Sequence, residues 1–436
     1  MSGRSADTAA ALAAVVGPRH VLAGEAAAGV LVDGVAPRWI ASPATVDEVA
    51  GCLTLAASRG LAVVPAGGGA RLSWGSVPTR VDLLLSLARL DRVLAWEPDD
   101  LTVSVQAGVR LTVLDAHIRD RRQMLALDPP RPDATTVGGA IATGVAGPGR
   151  ARYGTMRELL LGVTVVQGNG TVVRGGGRVV KNVTGYDIPK LHVGALGTLG
   201  VVVEAHLRLH PVPAAEGTWV FAFPGPEAAL EAARALRDTP VVPSRLQLVS
   251  RSRPSAPGAG SVALAVGLGS VPEAVDAQGE RVSRLCRGMD GEGGRIDDGV
   301  HWWAATRAMT LPPTADTLVL RIGSRPGDVA KAWRVVEAVA TRAELDPVLS
   351  AEVPHGVLHA ALTGSGVREA PAVVARVRAD LAPLEASCVV EHAPIGVKAD
   401  LDVWGDPGPA LPFMRRLKAE LDPGAILNPG RFVGRI

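Results

Sequence analysis

Cysteine is nearly missing from this chain. Cys52, Cys286 and Cys388 are odd in number, far apart among 436 residues and free of any Cys-x-x-Cys spacing. They exclude a disulfide framework and a zinc or iron–sulfur site, and their scarcity fits a reducing compartment. Nowhere do about eighteen uncharged apolar residues run together, as a membrane span requires. The alanine-rich N-terminus carries Arg4 and Asp7 and is stopped by Gly17-Pro18-Arg19-His20, which predicts a short helix and not a signal peptide. Blocks of one charge are also absent. With 45 basic and 43 acidic residues the formal net charge is +2, so charge-driven binding to nucleic acid or a membrane surface is excluded. There is no GxxxxGK[ST], and the glycines at 67–69 open no helix-like stretch, so neither a P-loop nor a Rossmann turn is present. No solenoid repeat is visible. These absences predict a cytoplasmic protein, associated with a membrane only through partners.

What is present is a large, well-buried globular chain, 47% hydrophobic and 20% charged. Its length exceeds one ordinary core and predicts two domains. Thr45-Val46-Asp47-Glu48 reads as a capping box opening a helix that Gly60 stops. Leu61–Val64 is a short buried strand running into Pro65. Strands follow at 81–87, 93–96 and 101–105, a helix at 112–122, and a hairpin around Gly168-Asn169-Gly170. Residues 130–144 read as a turn. Val201–Leu209 alternates, with Val201, Val203, Ala205, Leu207 and Leu209 inward. Beyond Pro211 and Pro213, strands near 219–223, 262–268, 316–322 and 386–391 alternate with helices near 226–237, 272–287, 328–343 and 369–383. That alternation predicts a layered sheet covered by helices.

The chemistry lies in glycine-rich segments. Glycine lets backbone N–H groups crowd an anion with no Cβ in the way. Any one such segment is ordinary turn chemistry, but five occur in order. They are Pro65-Ala66-Gly67-Gly68-Gly69-Ala70-Arg71; Thr136-Val137-Gly138-Gly139-Ala140-Ile141-Ala142-Thr143; Arg152-Tyr153-Gly154 with Arg157; Val180-Lys181-Asn182-Val183-Thr184-Gly185-Tyr186-Asp187; and Gly197-Thr198-Leu199-Gly200-Val201.

Together these resemble the FAD-binding domain of the p-cresol methylhydroxylase/vanillyl-alcohol oxidase superfamily, over about residues 34–213. Residues 136–150 and the tail, Asp402-Val403-Trp404-Gly405 with 418–432, are most similar to the FAD-binding E-type subunits of bacterial glycolate oxidases. The resemblance implies an α+β chain, with a two-subdomain FAD-binding domain of the p-cresol methylhydroxylase type and a C-terminal α/β cap domain. The organisation expected is a helical segment at 1–33, the FAD domain at 34–213, the cap at 214–417 and a returning tail at 418–436. By resemblance, Pro65 to Arg71 wrap the FAD pyrophosphate, and Pro130 with Asp133, Ala134, Thr135 and Thr136 lines the flavin side. Gly138 and Gly139 belong to the same motif. Thr143, Gly144, Val145 and Ala146 reach the pyrophosphate and ribityl chain. Gly197, Thr198, Leu199, Gly200, Val201 and Val202 close over the adenosine and flavin backbone, and Asn428-Pro429-Gly430-Arg431 returns to the FAD domain. Covalent members carry a histidine beside the glycine turn; Ala70 stands there, so non-covalent FAD is expected.

Related catalytic 2-hydroxyacid dehydrogenases carry HxGDGNxH and Glu-His-Gly motifs for a metal and a base. Here Glu352, His355, His359, Glu391 and His392 stand in the corresponding stretches, but Gly-Asp-Gly-Asn is gone and Ala393-Pro394 replaces the glycine. No metal is expected and no catalytic residue is assigned, with His392 the best single candidate for a base. His301-Trp302-Trp303 predicts core packing in preference to stacking on a ligand. Lys398 and Arg431 predict solvated surface charge in preference to a carboxylate site. The resemblance implies an FAD subunit of a 2-hydroxyacid dehydrogenase complex, with a second flavin subunit and an iron–sulfur subunit as partners. A self-sufficient flavin oxidase or dehydrogenase, or an assembly subunit with little redox role, are the alternatives.

Overall fold

The computed structural model describes residues 3–177, 186–250 and 262–436. Helix Gly3–Val16 opens the chain. Thr45 caps helix Val46–Arg59 by accepting from the Glu48 N–H at 3.1 Å, while the Glu48 carboxylate turns back to the Ala44 N–H. Gly60, at φ 60°, stops it. That helix packs on a sheet ordered Val21–Ala23, Trp39–Ala41, Leu83–Ser86, Val63–Ala66, whose last three strands are parallel. A second, antiparallel sheet is ordered Val93–Glu97, Thr102–Gln106, Val201–Arg208, Leu160–Val166, Val172–Gly176.

Strand Val201–Arg208 serves both cores. Val201 and Val203 pack with Leu53 and Leu83 of the first subdomain, whereas Ala205 and Leu207 pack with Leu114 and Ile141 of the second. A register shift between Val202 and Glu204 turns the strand from one core to the other. The segment 130–144 is not wholly a turn. Val137–Thr143 is a helix, with the Thr136 hydroxyl accepting from Gly139 N–H at 3.1 Å. A glycine pair inside the stretch hides its helical period.

The cap is one eight-stranded sheet, ordered Glu292–Ile296, Ala215–Phe223, Val262–Ser270, Arg245–Val249, Asp346–Glu352, Val357–Thr363, Leu318–Gly323, Ser387–His392. Every neighbouring pair is antiparallel. Its two faces differ in kind, because alternate residues of a strand point to opposite sides. Leu246, Leu248, Leu349, Leu358, Leu320 and Ile322 pack against helices Pro226–Arg237, Val329–Arg342 and Ala370–Leu381. On the other face Gln247 pairs with Glu352, Ser350 with His359, and His359 with Arg321, a polar row across four strands. Trp302 and Trp303 are core, as expected: Trp303 Nε1 donates to Thr218 Oγ1 at 2.9 Å beside Val220 and Ala265. Among the described residues no helix is long and apolar enough to cross a membrane.

Lys398 and Arg431 are not surface charges. Lys398, 1% exposed, donates from the cap to the Asp33 carboxylate and the Ser73 carbonyl. Arg431, 4% exposed, donates to the carbonyls of Leu72 and Trp74 and to Asn428 Oδ1. Backbone carbonyls and one carboxylate replace the water these cations lose, a pairing that spacing along the chain does not reveal. Removing one partner of a buried ion pair leaves the other charged and dry. Lys398→Met should therefore lower stability by about 3–5 kcal/mol. Asp33→Asn combined with it should cost clearly less than the two changes summed, read from urea midpoints. Additive losses would show that the pair is not coupled.

Candidate functional site

Strand Val63–Ala66 runs straight into the glycine loop, and the C-terminal tail pairs along it, Val63 N–H to Ile426 O at 2.7 Å and Asn428 N–H to Val63 O at 2.8 Å. The loop is pressed against 134–136. A Cβ at Gly67 would stand 2.2 Å from Thr136 Oγ1, and one at Gly68 would stand 1.9 Å from the Ala134 carbonyl oxygen. Only glycine permits that approach. Positive φ is not the reason at residue 68; it is Gly69 that adopts φ 76°.

Two adjoining chambers open on either side of this contact. The first is lined by Pro65, Ala66, Gly67, Gly68, Gly69, Ala70 and Arg71, by Ala134, Thr135, Thr136, Gly139 and Thr143, and by Leu72, Ala142, Leu196, Asn428 and Arg431. The second shares Pro65 to Gly67, Thr136, Gly139, Ala142 and Leu196 and adds Gly138, Gly197, Gly200, Val201, Val202, Leu87, Ala107 and His192. Pro130, Asp133, Gly144, Val145, Ala146, Thr198 and Leu199 line neither chamber. The Thr198 hydroxyl donates to Ala195 O and its carbonyl accepts from the buried Lys418. Residues 180–185 of the fourth motif lie outside the described residues. His192 was not singled out by the sequence, although a polar residue between Leu191 and Val193 in an apolar run was the available signal.

The cleft suits an elongated anionic ligand. Backbone and small side chains form its walls, and Arg71 and Arg431 supply positive charge. Arg71 stacks on Trp74 with its guanidinium 4.3 Å from the ring centroid, and burial, partly countered by Glu391, draws its pKa below the ordinary value. Burial brings that of Arg431 down to about 10, so it stays charged at neutral pH.

Through Arg71 the cleft meets the polar face of the cap. Arg321 Nε lies 3.1 Å from Glu391 Oε1, and His359 Nε2 lies 4.0 Å from Glu391 Oε2. Burial holds His359 neutral, with its pKa down at about 4, and the charges around it are Glu391, Arg321, Arg71 and Arg150. Arg150, from the other side of the junction, stands 3.2 Å from Glu352 Oε2 but makes no aligned hydrogen bond to it. Glu352 is therefore only partly compensated, and desolvation pushes its pKa up to about 7.

Glu352, His359 and Glu391 thus share one face, whereas His355 and His392 leave the group. His355 lies within the influence of Arg150 and Glu158. His392, the sequence's candidate base, turns its Nε2 to the Ala315 carbonyl at 3.2 Å. Among the described residues no three His, Cys, Asp or Glu side chains gather as a metal site requires. The Arg321 guanidinium, paired with Glu391, would itself repel a divalent cation.

A glycine-walled cleft between two small sheets, with an antiparallel cap domain beyond it, suits a bound cofactor. The solved structure of p-cresol methylhydroxylase with substrate bound shares that fold, with a TM-score of 0.79 at 17% identity, covering 99% of this chain and 97% of the other. The FAD binding domain family matches residues 37–176, and the family of FAD linked oxidases, C-terminal domain, matches residues 212–432. The chain belongs to these FAD-linked oxidases and is an FAD-dependent oxidoreductase. It is 24% identical over 420 residues to the glycolate oxidase subunit GlcD of Bacillus subtilis (strain 168), covering 92% of this chain and 89% of that one. It is 28% identical over 426 residues to a D-2-hydroxyglutarate dehydrogenase of Xanthomonas citri pv. viticola, covering 91% and 89%.

Two outcomes follow from this geometry. Gly68→Ala drives a methyl group into a backbone carbonyl, so the loops must part. The purified variant should carry far less flavin per chain than wild type, read as the ratio of visible to ultraviolet absorbance. Full flavin content would show that this contact does not shape the cleft.

Glu352 carries a folded-state pKa above its ordinary 4.5. The folded chain therefore keeps a proton that the unfolded chain releases. Its stabilising effect is complete below about pH 4.5 and is lost as pH rises through about 7. Melting temperature should fall less steeply over that window in Glu352→Gln than in wild type. Identical slopes would show that Glu352 is ionised throughout.

Proposed function

We propose that this chain is an FAD-carrying component of a 2-hydroxyacid dehydrogenase, converting a 2-hydroxy acid to a 2-oxo acid. The observation that carries the reading is Arg71, which lines the first chamber and feels the charge of Glu391, the carboxylate paired with Arg321 of the cap's polar row. A small anion held there would lie between the cleft and the cap. The relatives named above act on, or are named for, glycolate and D-2-hydroxyglutarate, both 2-hydroxy acids.

The cleft formed by Pro65 to Arg71 and Ala134 to Thr143 takes FAD, bound without a covalent link because Ala70 offers no nucleophile. Bound FAD supplies a two-electron acceptor for the hydrogen on the substrate's hydroxyl-bearing carbon. Arg71 and Arg321 hold the substrate carboxylate, and the neutral His359 imidazole accepts the hydroxyl proton. The cap's packed polar face keeps bulk water from the reacting groups. Three cysteines, all buried and far apart in sequence, hold no cluster, so the electrons pass on to an iron–sulfur partner in a complex that includes a second flavin subunit. A general base contributes about 10²–10⁴-fold in rate. His359, hemmed in by three arginines, is a poor one, so the isolated chain turns over slowly.

The test is dye reduction by the purified chain, alone and with candidate partner subunits, using glycolate, D-lactate and D-2-hydroxyglutarate. The expected result is weak activity alone and strong activity with partners, with flavin released into the supernatant on acid precipitation. Arg321→Leu should raise KM much more than it lowers protein stability. Fast turnover by the chain alone would favour a self-sufficient dehydrogenase, and flavin staying on the pellet would refute the non-covalent attachment.

A further inference from the structure

The second chamber contains one titratable side chain, His192, at the end of the short helix Ile188–His192. It is 6% exposed, and among the described residues neither ring nitrogen has a hydrogen-bond partner. Its ring packs against Gly200, where a Cβ would stand 3.4 Å from Cε1. The ring nitrogens are without a partner yet not sealed inside the protein, so they are open to a ligand in the chamber that the side chain lines. Burial also holds the ring neutral, with its pKa near 4. A neutral imidazole offers one N–H donor and one bare acceptor nitrogen.

The remaining walls are apolar or backbone: Leu87, Ala107, Leu196, Val201 and Val202 line the chamber. Such a space fits a flat heteroaromatic ring whose edge carries donors and acceptors. FAD has two such rings, and the walls distinguish them. Neither chamber is lined by a cap residue, but the first carries Arg71, which feels the charge of Glu391 in the cap, and the second carries no group coupled to the cap. The reacting ring belongs at the cap end, and the non-reacting one at the other.

We propose that His192 binds the adenine ring of FAD in the second chamber, pairing one ring nitrogen with the adenine edge. The inference rests on the assignment of the cleft to FAD. It is tested on the full chain freed of cofactor, by calorimetric titration with FAD, ADP and flavin mononucleotide. His192→Phe keeps the ring shape and removes the hydrogen bond. It should weaken FAD and ADP about fivefold to tenfold and leave flavin mononucleotide unchanged, while His192→Gln recovers part of the loss. Unchanged FAD and ADP affinities, or an equal loss for flavin mononucleotide, overturn the assignment of His192 to adenine while the cleft reading stands. A wild-type chain that binds neither FAD nor ADP overturns both. Where the variants fail to fold, ¹⁵N-histidine spectra of wild type decide. ADP must move one buried imidazole signal in the neutral form, and no movement overturns the proposal.

Discussion

The contact between the Gly67-Gly68 backbone and residues 134–136 is the constraint on which the site depends. A carbonyl oxygen stands 1.9 Å from where a side chain at residue 68 would begin, so the two loops meet backbone to backbone. Loops held that closely have only turn hydrogen bonds of their own, such as Ala134 and Thr135 N–H to the Arg131 carbonyl, and draw further support from outside. Arg431 and Lys398 provide it by donating to the carbonyls of Leu72, Ser73 and Trp74. One cation comes from the tail and the other from the cap, so the cleft takes shape only when the last forty residues have returned to the first hundred. This is why buried cations appear where water-exposed ones would be expected: they are the donors for a loop that runs through the interior.

The same economy appears in the sheets. A single strand, Val201–Arg208, supplies side chains to two cores and runs out of the turn that borders the second chamber. Its register shift serves the site as well as the packing, because Val201 and Val202 both line the second chamber while Ala205 and Leu207 beyond the shift fill the second core. The cap divides its labour by face. One side is apolar under its helices, and the other carries Gln247, Ser350, Glu352, His359 and Arg321 toward the junction. Buried polar atoms without partners are concentrated there, including Gln247 Oε1, Ser350 Oγ and Glu352 Oε2. A sheet face that pure packing had shaped would not hold them.

Much of the first half was legible in the sequence. Capping at Thr45, the stop at Gly60 and the alternation after Val201 each leave a local signature, and the structure places them as read. The helix Val137–Thr143 escaped because Gly138 and Gly139 lower helix propensity, while Thr136 and tertiary packing hold it. In the cap, the strands Arg245–Val249, Glu292–Ile296, Asp346–Glu352 and Val357–Thr363 were missed. Three of these carry the polar row, and in two of them, Asp346–Glu352 and Val357–Thr363, polar residues were read as candidate chemistry and not as a strand. The site suffered in the opposite way. Motif spacing located the glycine walls but placed His392 with Glu391, although strand pleating and a bulge send their side chains to different neighbours.

Charge balance at the junction explains what the site can accept. Arg321 is matched by Glu391 and Arg150 by Glu352, in each case within 3.2 Å. Arg71 has a ring to stack on but no carboxylate at ion-pair distance among the described residues. One half-buried cation is therefore left without a carboxylate where the cleft meets the cap. Partial burial reduces screening by water, so an arriving anion gains more from Arg71 than it would at the surface. A divalent metal meets the opposite situation: the one carboxylate beside His359 is already held by a guanidinium. The chemistry that suits such a junction is recognition of a carboxylate or phosphate by arginine, with proton transfer left to groups whose burial has set their charge.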